Sequence, residues 1–165
     1  MANITFRKIT TPKNTGPKKY YNKNAVKNAI NYIFRKDAKG TFNIYGTIGT
    51  FNTDSANIAN DTIDDFMRQK NIHHKSDGLQ LVHYILSFPE NFKAPPKKKF
   101  QKLIIRTAKI WGKDFQVAYA LHEDTDNLHV HFIINSTSYA GYKISINEKR
   151  FRKYHKLANK IWCSI

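Results

Sequence analysis

Three histidines fall within a ten-residue window, in the run Ala120-Leu121-His122-Glu123-Asp124-Thr125-Asp126-Asn127-Leu128-His129-Val130-His131-Phe132. His129 and His131 are two apart in an alternating segment, so on a strand both imidazoles leave the same face. His122 closes the preceding apolar segment, and a hairpin places it beside that pair across the ladder. Neutral imidazoles bind divalent cations, and three of them meeting at one point leave coordination positions open. That pattern is catalytic rather than structural in type. On a basic protein the open position suits a phosphate oxygen, which the cation polarises as a Lewis acid. The competing reading is three ordinary strand histidines, and the shared face weighs against it. Asp124 and Asp126 suit a turn, and one of them can also hold a histidine in its metal-binding tautomer. Asn127 is an equally good turn former.

The elements that must position these residues follow from local patterning. Residues 115–122 and 128–136 read as two strands of a hairpin joined by Glu-Asp-Thr-Asp-Asn. Residues 79–88 form a further strand, with Leu81, His83, Ile85 and Ser87 on one face and Val82, Tyr84, Leu86 and Phe88 on the other. Residues 2–9 make a short strand, residues 10–19 a basic loop, and residues 41–45 a strand before a turn at Gly46 and Gly49. Four helices are expected. Residues 24–36 carry an apolar stripe of Val26, Ile30, Ile33 and Phe34, with Tyr32 off that stripe and accessible. Residues 60–70 turn Ile63, Phe66 and Met67 inward. Residues 99–111 bury Phe100, Leu103, Ile104, Thr107, Ala108 and Trp111. Residues 147–162 use Phe151, Tyr154, Ala158, Ile161 and Trp162. The expected class is α+β, a central antiparallel sheet carrying the three-histidine hairpin with helices mainly on one side.

Composition narrows the partners. Lys and Arg total 28 against 12 Asp and Glu, a net charge of +16. Such an excess points to an anionic partner, nucleic acid first. No stretch reads as a spanning helix or a membrane anchor, so no membrane insertion is expected. A single cysteine, Cys163, excludes a disulfide framework, and the N-terminus lacks a signal peptide's apolar run. Both fit a cytoplasmic location. Lys97, Lys98, Lys99, Lys102, Arg106 and Lys109, with Arg150, Arg152 and Lys153, are candidates for backbone phosphates, which confer affinity but not sequence. Each is also at home on a solvated helix face. His73 and His74 read as surface loop residues.

The run His122-Glu-Asp124-Thr-Asp-Asn-Leu-His129-Val-His131 closely resembles the third motif of plasmid mobilisation relaxases of the MobA/VirD2-like, MOB-P type. His129-Val130-His131 matches the His-hydrophobe-His signature of HUH endonucleases. His83-Tyr-Ile-Leu-Ser87-Phe88-Pro89 resembles the second motif, and Asn28-Ala-Ile-Asn-Tyr32-Ile the first. Order and spacing agree over roughly residues 20–160. Two departures stand out: the Lys-Thr pair expected after the nucleophile is Lys39-Gly40-Thr41 here, and relaxases usually continue beyond this core. The expected organisation is one nuclease domain over residues 1–165, truncated or without the usual C-terminal extension.

The resemblance implies site- and strand-specific nicking of single-stranded DNA at a transfer origin, with a covalent tyrosyl intermediate. It implies Tyr32 as nucleophile, with Tyr20 and Tyr21 as substitutes if the register is off. It implies His122, His129 and His131 as metal ligands, with Asp124, His83 and Ser87 in support. Magnesium or manganese would be the working ion, although imidazole donors by themselves also suit zinc, nickel or cobalt. Accessory DNA-binding proteins and a coupling protein are implied partners. Two alternatives remain open. A rolling-circle replication initiator shares the hairpin but takes a later tyrosine, for which Tyr154 is the candidate; Leu157 stands where such proteins carry lysine. A non-catalytic DNA-binding module with a structural metal would need a fourth ligand, for which His83 is available. A zinc deaminase is disfavoured by the missing Pro-Cys-x-x-Cys.

Overall fold

A computed structural model describes residues 4–9, 20–51 and 56–163. The expected basic loop at 10–19 and the start of the first strand lie outside the described residues. Among the described residues five strands form one sheet: β1 Thr5–Lys8, β2 Tyr45–Ile48, β3 Leu81–Ser87, β4 Phe115–His122 and β5 His129–Ser138. Their order is β1-β3-β5-β4-β2, and every neighbouring pair is antiparallel. Four helices among the described residues complete the α+β architecture: α1 Ala25–Ile33, α2 Ile58–Ile72, α3 Lys97–Gly112 and α4 Glu148–Trp162. A short 3-10 turn, Lys36–Ala38, follows α1.

The three central strands are buried along nearly their whole length, as strands covered on both faces must be. One face carries Val82, Tyr84, Leu86, Val117, Tyr119, Leu121, Val130, Phe132 and Ile134 and packs against α3 and α4. The other carries Leu81, Ala118, Ala120 and Ile133 and packs against α1 and α2. The helices therefore divide two and two, where the sequence reading placed them mainly on one side. A helical stripe tells that a helix has a buried side, not which face of the sheet it meets.

The strand alternation read for β3 and the inner face read for α3 both hold residue by residue. Two segments differ. The second strand runs through Gly46 instead of stopping before it. Gly46 lies opposite Tyr119, and a Cβ there would meet the Tyr119 hydroxyl at 2.6 Å, so glycine leaves room for the ring and does not mark a turn. Helix α2 is longer than expected, and Ile63 and Met67 are only half-buried. Its innermost residues are Thr62, Asp65, Phe66 and Lys70. Lys70 is wholly buried and donates to Gln80 O at 2.6 Å, Asn135 Oδ1 at 2.6 Å and Ser136 Oγ at 2.8 Å. These bonds tie α2 to the far end of β5, on the same sheet face as the histidines, and leave the histidine end to α1.

Candidate active site

The β4–β5 register pairs His122 directly with His129, and Ala120 with His131. Alternation then sends all three imidazoles to the α1 side of the sheet. Their rings gather closely, with centroids 4.3 Å apart for His122 and His131, 4.9 Å for His129 and His131, and 5.4 Å for His122 and His129. One ring nitrogen from each comes within 4.8 Å of the other two.

Each imidazole is held by its other nitrogen. Nε2 of His122 donates to the Ile33 carbonyl at 2.8 Å, which leaves the lone pair on Nδ1. Nδ1 of His129 donates to the Asn127 carbonyl at 2.9 Å, which leaves Nε2. Nδ1 of His131 lies 2.7 Å from Nε2 of His83. The two nitrogens left over on the buried rings, His122 Nδ1 and His131 Nε2, are themselves buried and have no hydrogen-bond partner among the described residues. Orphaned buried acceptors are rare without an unseen partner. Three lone pairs converging at this spacing fit a divalent cation, with His122, His129 and His131 as its holders. Burial pushes the His122 imidazole down to about 4 and holds His131 well below the usual histidine range, with neighbouring imidazoles adding to the latter. Both are therefore neutral near pH 7, the state a ligand needs.

Helix α1 ends over this cluster. Tyr32 is 47% exposed, because it lies off the stripe of Val26, Ile30 and Ile33 that anchors the helix. Its ring stands edge-on to His122 at 5.8 Å and His131 at 5.4 Å between centroids. Arg35, one turn on, places its guanidinium 4.1 Å over the Tyr32 ring and donates to the Tyr32 carbonyl at 2.7 Å. Its other arm pairs with Asp124. Partial burial opposes ionisation of Asp124, but the Arg35 hydrogen bond and charge hold its carboxyl below the usual carboxylate range. Asp124 and Asp126 were the side-chain candidates for orienting a histidine. The orienting acceptors on His122 and His129 are instead backbone carbonyls, and Asp124 fixes Arg35. Glu123 beside it accepts from Thr41 N and Phe42 N at 3.2 and 2.7 Å. Gly40 permits this close approach with φ +52°, where a Cβ would strike the Glu123 side chain at 2.3 Å. The Lys39-Gly40-Thr41 segment thereby ties the hairpin turn to the chain leaving α1.

The model of the relaxase family, MobA/VirD2-like, nuclease domain, matches residues 32–163. The chain belongs to this family. Protein MobA of Acidithiobacillus ferrooxidans is 42% identical to this relaxase domain over 53 residues, which is 32% of the chain and 13% of that protein. The match thus spans about one-eighth of that relative's length. A solved chain described under "Molecular Basis of Vancomycin Resistance Transfer in Staphylococcus aureus" aligns with a TM-score of 0.49 and 10% identity, over 99% of this chain and 93% of that one.

The structure of the relaxase domain brings most of the expected site residues together. Tyr32, the three histidines, His83 and Asp124 form one cluster, and Ser87 lies opposite His129 in the β3–β5 register. The cationic candidates do not join it. Lys97, Lys98, Lys99, Lys102, Arg106 and Lys109 on α3, and Arg150, Arg152 and Lys153 on α4, are exposed, but both helices cover the opposite face of the sheet. Arg152 is engaged with Glu148 at 3.0 Å. Tyr154 also lies on that face, packed against Tyr84 and Trp111, so it is not beside the histidines. His83 stands behind His131 as its hydrogen-bond partner and is outside the group of three converging nitrogens. Arg35 was missed as a site residue, and Tyr20, named only as a substitute nucleophile, meets His83. The Tyr20 hydroxyl lies 2.7 Å from His83 Nδ1, and burial, with Tyr32 nearby, pushes it up to about 12. Their only sequence signal was position, Arg35 one turn after Tyr32 and Tyr20 just ahead of α1.

Proposed function

We propose that this domain nicks one DNA strand at a transfer origin by transesterification onto Tyr32, as a step in conjugative mobilisation. The observation that carries the reading is the placement of the Tyr32 ring against two histidines whose inward nitrogens are buried and unpartnered. In the step, the Tyr32 oxygen bonds to phosphorus and the P–O3′ bond breaks. The Tyr32 hydroxyl proton is released, and the departing 3′ oxygen takes up a proton to become a hydroxyl. The product is a 5′-phosphotyrosyl ester, which keeps the energy of the cut bond and permits rejoining by the reverse path. A divalent cation, magnesium or manganese by family resemblance, would supply Lewis-acid polarisation of the scissile phosphate.

The protein's own groups do the positioning. Ile33 and Asn127 carbonyls and His83 hold the three imidazoles in the required tautomers. Arg35 packs over the Tyr32 ring and restricts its orientation. Single-stranded DNA reaches the site from the α1 face. The α3 and α4 cations on the other face suit flanking DNA or accessory protein, where they would add affinity and salt sensitivity.

The test is a covalent-adduct assay with manganese and a diverse pool of single-stranded oligonucleotides. A denaturation-resistant species that maps to Tyr32 is the expected result. An adduct on Tyr154 would favour the replication-initiator reading, which its place on the opposite face opposes. No adduct, in a pool that contains the nick sequence, would leave a DNA-binding module.

A further inference from the structure

A cavity of about 390 Å³ adjoins the histidine cluster on its β1 side. It shares Tyr32 and His131 with the cluster, so a group filling it would sit next to whatever occupies the site. Its apolar walls are Ile9, Ala29 and Ile85, and its polar groups are Asn28, Arg7 and the Tyr20–His83 pair. This is the usual make-up of a small-molecule pocket, mostly apolar with a few placed polar groups, and its volume suits one nucleoside.

Three features show a built wall. Tyr20 is locked through its hydroxyl to His83, which is locked in turn to His131, both at 2.7 Å. Tyr20 also adopts φ +66°, a left-handed conformation that is unfavourable for a bulky side chain and that clusters at functional sites. The Gln80 N–H holds the Tyr20 carbonyl at 2.8 Å and keeps it there. Asn28 is exposed, one turn before Tyr32 on the same side of α1, and among the described residues its amide makes no side-chain hydrogen bond that a ligand would displace.

We propose that this cavity takes the nucleoside adjoining the scissile phosphate, with the base against Tyr20 and its edge read by the Asn28 amide. The proposal rests on the nicking reading above and adds a sequence-reading element to it. An aromatic wall suits the π-face of any base. A side-chain amide offers one donor and one acceptor to a base edge, the pairing that gives discrimination. Arg7, on the edge strand and exposed, supplies charge for the next phosphate along.

The experiment uses the full chain carrying Tyr32→Phe, so that binding is read without chemistry. Single-stranded DNA is selected from a random pool, and the selection is repeated with Asn28→Ala added. An exposed helix position tolerates alanine, so the fold is retained. The expected result is a loss of roughly tenfold or more in base preference at one position only. Selected strands carrying 5-iodouracil at successive positions should photo-crosslink to Tyr20 at that same position. An unchanged preference profile in Asn28→Ala overturns the proposal, and so does a Tyr20 crosslink at no position or at every position. Adduct formation by the wild-type chain reads nicking separately. An adduct with an unchanged Asn28→Ala profile removes the base pocket and keeps nicking; a lost preference without any adduct does the reverse.

Discussion

Nδ1 of His131 lies 2.7 Å from Nε2 of His83, across neighbouring strands of the sheet. For His131 to offer Nε2 to a metal, its Nδ1 must carry the proton and His83 must accept it. His83→Ala removes that acceptor and lets the His131 ring turn or change tautomer. Affinity for manganese should fall by about 10–100-fold, the usual loss when a ligand's outer partner is removed. His83→Gln, which keeps an acceptor, should recover part of it. Calorimetric metal titration reads the effect, and equal affinities in all three proteins would show that burial alone orients His131.

Tyr32→Phe should abolish the covalent adduct while single-strand binding and thermal stability stay near wild type. The side chain is 47% exposed, so loss of its hydroxyl should change stability by no more than about 0.5 kcal/mol. Adduct formation persisting in this variant would reassign the nucleophile, with Tyr20 and Tyr21 next in turn.

Arg35 contacts the Tyr32 ring, the Tyr32 carbonyl and Asp124 at once. The Arg35–Asp124 pair is about one-quarter exposed on each side, so its contribution to stability should be under about 1 kcal/mol. Its effect should be kinetic. Arg35→Ala should slow adduct formation with little change in melting temperature, and Arg35→Lys should not restore it, because lysine has no planar group to cover the ring and reach the carboxylate together. Single-turnover rates decide this, and full rescue by lysine would reduce Arg35 to a simple charge.

Chelation should leave the fold intact. Three candidate ligands at one end of a sheet with two large cores are not what holds this domain together, unlike a closed four-ligand site. Far-ultraviolet circular dichroism should be unchanged after metal removal, with a modest fall in melting temperature from lost ligand binding and complete loss of the adduct. Cooperative unfolding on chelation would favour the structural-metal reading.

Lys70 gives the fold a pH dependence of its own. Burial, with Lys143 nearby, lowers it from 10.5 to about 7. Between those values the unfolded chain binds a proton that the folded chain does not, so stability rises with pH across that window. Below about pH 7 both states are protonated and the folded state bears the whole penalty of a buried charge. Denaturant unfolding from pH 7 to 9 should show this rise in the wild type and a flatter profile in Lys70→Met. Equal slopes would mean that Gln80, Asn135 and Ser136 solvate the charged ammonium well enough to cancel the burial.

Much of this protein is written in local patterns. The two-residue period of His129 and His131 places both on one face whatever the rest of the fold does, because alternation is a property of the strand backbone. His122 joins them because six connecting residues return the chain antiparallel. The stripe of Phe100, Leu103, Ile104, Thr107, Ala108 and Trp111 determined the inner side of α3, and the stripe on α1 left Tyr32 outward. Tertiary structure decided the rest. Which face of the sheet each helix covers depends on packing, so the cations of α3 and α4 came to lie away from the histidines. The carbonyls of Ile33 and Asn127 orient His122 and His129, and no side-chain pattern reports where a backbone oxygen will point. Asp124 met Arg35, His131 met His83, and Tyr32 met His131, pairs brought together by the register of the sheet and the seat of α1 upon it. Each depends on distances between segments far apart in the chain, and only the packed core sets those distances.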